Sequence, residues 1–385
     1  MNFIDLIAQR RRIGDQIDAA VSNVLDGGRY VLGPEVRELE DKLAAYCGAS
    51  RTITCANGTD ALALLLMAWD IRPGDAVFVP SFTFVATAQV VPWLGAAPIF
   101  VDVRPDTYTM DPASLEAAIA KVKSEGLLNP KVVIAVDLFG QPADYPAISE
   151  IAQRSGLKLI ADTAQGFGCT LNGRHPVSWA DAATTSFYPA KPLGCYGDGG
   201  AVLTRDETLA DLAASLCIYG KALPGEQAPE MVGHDPKYLS FRIGMNSRLD
   251  TLQAAILLEK LKVFDAELKM RDQVATRYID GLEGVVDRTP CVIDGGTSTW
   301  AQFTIEHHNR DELGRALKEK GVPTAVYYPV PLHAHPFAQR YRGHQPSLPV
   351  TERLCERVIS LPMHPDLSAE DQARVIDAVK TFSDE

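Results

Sequence analysis

The sequence predicts an α/β protein: a large domain on a mostly parallel sheet flanked by helices, then a smaller C-terminal α+β domain. Between residues 51 and 204, short apolar runs alternate with helical stretches, as in strand–helix–strand units. Lys131-Val-Val-Ile-Ala-Val136 is almost wholly apolar, which suits a strand covered on both faces. After residue 205 helices dominate, and the end of the chain mixes strand and helix. The predicted division is 1–245 for the N-terminal segment and large domain, and 246–385 for linking helices and the small domain.

Taken in order, residues 1–25 suggest an amphipathic helix. Gly27–Pro34 is a loop, and Pro34 opens a helix to about residue 47. Strands follow at 51–55, 76–79, 97–102, 131–136 and 157–161, with helices near 60–69, 85–94 and 144–155 between them. Asp111-Pro112 supplies a cap and a first-position proline for another helix. Helices are expected at 207–219, 249–263 and 265–282, and the polar, Pro- and Gly-containing stretch 220–240 reads as a mobile loop. A strand at 300–306 and helices at 311–320, 351–358 and 369–381 complete the chain.

Composition narrows the function classes. A net charge of −12 argues against non-specific nucleic-acid binding. No apolar run is long enough for a membrane span, and the N-terminus lacks a signal-peptide core, so a cytoplasmic protein is expected. The seven cysteines are scattered without a C-x-x-C pair, which points to reduced, mostly core thiols. Cys195 has no evident His partner for a nucleophile role. His307-His308 and His333-x-His335 lack the helical spacing of a common zinc pair, so no metal is expected.

The stretch with chemical character is Thr185-Ser-Phe-Tyr-Pro-Ala-Lys191-Pro-Leu-Gly-Cys-Tyr-Gly-Asp-Gly-Gly200. It reads as a strand, an exposed lysine, a glycine-rich turn and a new strand. Its glycines follow neither the dinucleotide nor the P-loop order. An amine in such apolar surroundings gives up its proton more readily than a solvated one, and a neutral amine attacks aldehydes. The plain alternative is a surface lysine in a tight turn.

Three upstream features decide between these. Strand 51–55 runs through Ala56-Asn57-Gly58-Thr59-Asp60 into a helix, whose N-terminus suits a phosphate. Strand 157–161 ends in Asp162-Thr-Ala-Gln165, and a carboxylate there lies in the crevice where parallel sheets bind ligands. It would hold a pyridine nitrogen protonated, with Gln165 near a ring hydroxyl. Phe84, after strand 76–79, could stack on a flat ring. Each feature also has an ordinary reading as a cap or core residue. Together with Ser186 and Lys191, they stand in the order expected of a pyridoxal-phosphate site.

With these residues in place, the chain resembles the fold-type I, PLP-dependent nucleotide-sugar aminotransferases of the DegT/DnrJ/EryC1/StrS family. The resemblance runs from Phe3-Ile-Asp-Leu through Leu32-Gly-Pro-Glu35, Asn57–Ala61, Asp162–Gln165, Ser186–Gly200, Asn246-Ser-Arg-Leu-Asp250 and Leu361-Pro-Met-His364. It implies that Lys191 bonds covalently to pyridoxal 5'-phosphate, which alternates with pyridoxamine 5'-phosphate. It further implies that Asp162 pairs with the pyridine nitrogen and Gln165 with the ring hydroxyl. Ser186, Gly58 and Thr59 would hold the phosphate, and Phe84 would stack. A homodimer with shared sites is implied too, Asn246 reaching the neighbouring subunit's phosphate.

The lysine and Asn246 segments look like those of enzymes that aminate UDP-2-acetamido-2-deoxy-3-oxo-glucuronate with L-glutamate for O-antigen synthesis. Arg248 offers a planar partner for a uronate carboxylate, or else an ion pair with Asp250. Tyr327 and His333 are expected in the sugar-facing loop. Two departures stand out. Gly166 is found where such enzymes often carry Ser, and Tyr327-Tyr328-Pro329 where His-Tyr-Pro is often seen. The alternatives are amination of a 3-keto or 4-keto 6-deoxy nucleotide sugar, and a non-catalytic regulatory protein. A related sugar dehydratase branch carries His at the lysine position, which Lys191 argues against.

Overall fold

The computed structural model describes residues 1–226 and 239–383. Most of the loop expected over 220–240 therefore lies outside the described residues. Helix α1 (Leu6–Gly27) starts where the Asp5 carboxylate accepts the Ile7 and Ala8 N–H groups, and stops where Gly28 turns left-handed. Helix α2 (Pro34–Cys47) begins on its proline and ends the same way at Gly48.

Seven strands form the main sheet: β1 (Arg51–Cys55), β2 (Asp75–Pro80), β3 (Ala97–Val101), β4 (Asn129–Val136), β5 (Lys158–Asp162), β6 (Ala182–Ser186) and β7 (Gly200–Thr204). Their order is β1-β7-β6-β5-β4-β2-β3. β2, β3, β4, β5 and β6 pair in parallel, and β7 alone runs against its neighbours β1 and β6. The C-terminal ends of six strands thus share one edge, and the candidate residues follow those ends.

Helices α3 (Gly58–Ala68), α4 (Ala86–Trp93) and α7 (Glu207–Cys217) cover one face of the sheet. The other is covered by α2, α5 (Pro112–Glu125), α6 (Tyr145–Ser155) and the first half of α8 (Thr251–Leu282). Every residue of α3 from Ala61 to Leu66 is buried. A helix apolar all round is held from all sides, which fixes the position of its N-terminus.

The two helices expected at 249–263 and 265–282 are one 32-residue helix, α8. No Gly or Pro interrupts it before Gly281. At the expected break, Phe264 packs its ring against Tyr46 and Phe167. Leu257 and Leu258 join the core of the large sheet, while Val274, Ala275, Tyr278 and Leu282 join that of the small one.

That second sheet is an antiparallel pair, β8 (Phe303–Glu306) and β9 (Val358–Leu361), packed with α9 (Arg310–Glu319) and α11 (Ala369–Ser383). The strand expected from residue 300 begins at 303, because Trp300 has a φ of 48°. Helix α10 (Pro349–Arg357) precedes β9, whose four residues the sequence reading left unassigned beyond 358. Two links tie the bodies together. Asp102, just past β3, accepts the Val350 and Thr351 N–H groups and the Thr351 hydroxyl. Glu306 receives Tyr108, Arg353 and Arg288. Among the described residues no helix is long and apolar enough to cross a membrane. All seven cysteines are unpaired, and six are buried.

Candidate active site

Asn57 caps α3 by accepting the Asp60 N–H at 2.8 Å. The N–H groups of Gly58 and Thr59 are left without an intrahelical acceptor, as at any helix start. A Cβ on Gly58 would lie 2.7 Å from Ser186 Cβ, so only glycine lets the end of β6 approach this helix start. Ser186 is half-buried, and its Oγ accepts the Tyr188 N–H. Free N–H groups, a dipole end and a nearby hydroxyl make an anion cradle.

Lys191 is half-buried rather than exposed. The turn folds back on itself: Lys191 N donates to Tyr188 O, and Cys195 N to Phe187 O. Residues 192–195 are buried, and the ammonium of Lys260 in α8 holds Gly194 O at 2.6 Å. Among the described residues the Lys191 amine has no hydrogen-bond partner. Desolvation lowers its pKa, opposed by the charge of Asp162.

Asp162, at the end of β5, is buried, and desolvation raises its pKa. The Ala164 N–H, the Thr87 hydroxyl and the charge of Lys191 pull the other way. Gln165 is also buried, and its Oε1 takes the Phe139 N–H at 2.7 Å. With the carbonyl end occupied, the NH2 end is the one left to donate, and it reaches Tyr328 Oη at 3.3 Å. Phe84 is 52% exposed, an unusual setting for a large ring, with its centroid 6.5 Å from that of Tyr328.

Asn246 is exposed and Arg248 half-buried, on either side of the fully buried Ser247. The Ser247 hydroxyl donates to Asp60 and accepts the Ala56 N–H, which ties this segment to the start of α3. Arg248 forms no ion pair with Asp250 or any other described residue. Tyr327 is half-buried, joined to Tyr328 by a cis peptide, with its ring 6.3 Å from that of Phe3. His333 has both ring nitrogens engaged, with Ser81 Oγ at 2.7 Å and Glu352 at 3.3 Å. No hydrogen bond links it to the Lys191–Asp162 set. His307 and His308 stack on each other, and no described cluster of three ligating side chains could hold a metal.

The sequence reading missed Thr87, Tyr328 and Asp137. Thr87 had a faint signal, three residues beyond Phe84 in a helix start. Asp137 follows an apolar strand just as Asp162 does. The residues present fit pyridoxal phosphate. The cradle at Gly58 suits a phosphate, the buried Asp162 has no contacting cation among the described residues, and Lys191 offers an amine with a lowered pKa.

The DegT/DnrJ/EryC1/StrS aminotransferase family matches residues 11–380. The UDP-2-acetamido-2-deoxy-3-oxo-D-glucuronate aminotransferase of Pseudomonas aeruginosa is 46% identical over 95% of this chain and 96% of its own. A crystal structure of a family aminotransferase from Brucella abortus is 49% identical, with a TM-score of 0.94 and full coverage of both chains. NtdA from Bacillus subtilis, solved with bound cofactor PMP, is 29% identical with a TM-score of 0.84, covering 100% of this chain and 83% of its own.

Proposed function

The chain belongs to the DegT/DnrJ/EryC1/StrS aminotransferase family, and we propose that it aminates C3 of UDP-2-acetamido-2-deoxy-3-oxo-glucuronate using L-glutamate. It is a PLP-dependent sugar aminotransferase. The observation that carries the catalytic reading is the pairing of a desolvated Lys191 with a buried Asp162 beside the Gly58 cradle.

Pyridoxal phosphate, when bound, supplies an aldehyde for the incoming amine and a ring that accepts electrons. The N–H groups of Gly58 and Thr59, with the Ser186 hydroxyl, would hold its phosphate. Asp162 would keep the ring nitrogen protonated, Gln165 would donate to the ring oxygen, and Phe84 would pack against the ring. Lys191 Nζ takes the proton from the glutamate α-carbon in the first half of the cycle, and returns one to C3 of the sugar in the second. One amine performs both tasks when its pKa lies near the working pH, which desolvation favours.

The substrate reading rests on the P. aeruginosa relative and on Arg248, a half-buried guanidinium with no ion pair among the described residues, suited to a uronate carboxylate. Tyr327 and His333 complete the sugar side, with His333 acting through the segment it pins to Ser81. The product would feed O-antigen synthesis. Exposed Tyr30, Val31, Leu32, Tyr219 and Ile243 lie on strands of chain hydrogen-bonded around Asn246. A homodimer would bury them and bring Asn246 to the neighbouring cradle; a single-chain mass in solution would remove this part. Seven unpaired thiols suit a cytoplasmic setting. The direct test is incubation with L-glutamate and the 3-oxo sugar, with mass detection of 2-oxoglutarate and the 3-amino sugar. Absence of both products would sink the reading.

A further inference from the structure

Asp137 follows β4 as Asp162 ends β5, and its backbone N–H bonds the Asp162 carbonyl at 3.0 Å. It is fully buried, and among the described residues it has no cationic partner. One carboxylate oxygen, Oδ1, accepts the Ala143 N–H at 3.1 Å and the Tyr145 hydroxyl at 2.7 Å. The other faces the Cys169 thiol at 3.8 Å. These two strong bonds close the loop 137–145. That loop holds Phe139 at φ 59°, the conformation from which its N–H meets Gln165 Oε1. The same loop binds Thr299 N through Gly140 O, and the Thr299 hydroxyl bonds Gln165 O.

Gly166 sits directly against this carboxyl. A Cβ built there would fall within 2.9 Å of Asp137 Oδ2, and closer still to Asp137 Cβ, which has no freedom to move aside. A side chain at 166 therefore has no room beside residue 137.

We propose that Asp137 is a positioning residue for Gln165. Asp137 acts through the loop: its carboxyl fixes Phe139, and Phe139 fixes which end of the Gln165 amide faces the cofactor. Burial pushes the Asp137 pKa up to about 8, with Asp162 as the neighbouring charge and Tyr145 and Cys169 as its other titratable neighbours.

This rests on the cofactor-site reading above, so the test begins with the wild-type protein, titrated with pyridoxal phosphate by visible absorbance. Failure there sinks the site reading itself. With wild-type binding in hand, Asp137→Asn keeps the Oδ1 acceptor and is expected to bind within about 3-fold of wild type. Asp137→Ala is expected to lose about 10-fold in cofactor affinity and to shift the absorption band of the bound cofactor. Thermal unfolding is followed in parallel. Asp137→Ala with lowered Tm but unchanged affinity and spectrum would reduce Asp137 to a structural residue. If Asp137→Ala does not fold, Tyr145→Phe, which removes the hydroxyl donor to Asp137 Oδ1, carries the test: unchanged cofactor affinity and spectrum would overturn the positioning role.

Discussion

Thr87 Oγ1 donates a 2.9 Å hydrogen bond to Asp162 Oδ2, tying the first turn of α4 to the end of β5. Both residues are buried. The hydroxyl stabilises the carboxylate against its own desolvation. Thr87→Val keeps the shape and removes the donor. The expected cost is about 1.5–3 kcal/mol of carboxylate stabilisation. The Asp162 pKa, already raised, then rises further, so the charged form is lost at higher pH. The acid limb of the pH–rate profile should move upward relative to wild type, and an unmoved limb would deny Thr87 this role.

Gly58 is the point where α3 meets Ser186. Gly58→Ala places a Cβ 2.7 Å from Ser186 Cβ. Overpacking of this kind costs about 1–3 kcal/mol, or roughly 5- to 150-fold in affinity if it falls on the cradle. Pyridoxal phosphate affinity should drop, and affinity for the phosphate-free aldehyde pyridoxal should change much less. Gly343→Ala, where nothing lies within 4 Å, serves as the control.

Lys191→Ala removes the amine and leaves the cradle. The variant should still bind pyridoxal phosphate, but borohydride should no longer fix it to the 185–200 peptide. Turnover should fall by about 10⁴-fold or more. A covalent adduct surviving on another lysine would show that the amine has been misassigned.

Lys260 is buried and its pKa falls to about 8. Desolvation lowers it, and the charges of Glu267 and Cys195 oppose the fall. An unfolded lysine keeps its proton to about pH 10.4. Between about pH 8 and pH 10.4 the unfolded chain therefore binds more protons, and this residue's contribution to stability rises with pH. Below pH 8 its penalty is complete, at roughly 3 kcal/mol. Urea unfolding at pH 7.5, 9 and 10 should show this rise in the wild type and a flatter profile in Lys260→Met. Parallel profiles would contradict it.

Much of the fold was legible because strands β1 to β6 carry a simple signal. Their apolar runs are short, and signals such as Asp111-Pro112 and Pro34 mark helix starts around them. The long α8 was misread because its apolar face changes partner near Phe264 while the backbone continues. A change of core looks like a break in periodicity. Lys191 was read as exposed because a glycine-rich turn gives no hint of folding back under Lys260. The residues proposed to hold the cofactor could be picked out by their position after strand ends. Thr87, Tyr328 and Asp137 were not, since each acts on a residue distant in sequence. His333 had the right chemistry for a sugar contact, but its ring bonds to Ser81 and Glu352, which no sequence pattern signals.

The most direct measurement follows the visible absorbance of the purified, cofactor-loaded protein in the reverse half-reaction. One sample receives UDP-2-acetamido-3-amino-glucuronate, and others receive 4-amino-4,6-dideoxy nucleotide sugars. Loss of the cofactor's visible band with the 3-amino uronate alone is the predicted result, and it would support both the C3 assignment and a carboxylate-reading Arg248. Bleaching with the 4-amino sugars alone would contradict the proposed substrate and leave Arg248 without its proposed partner.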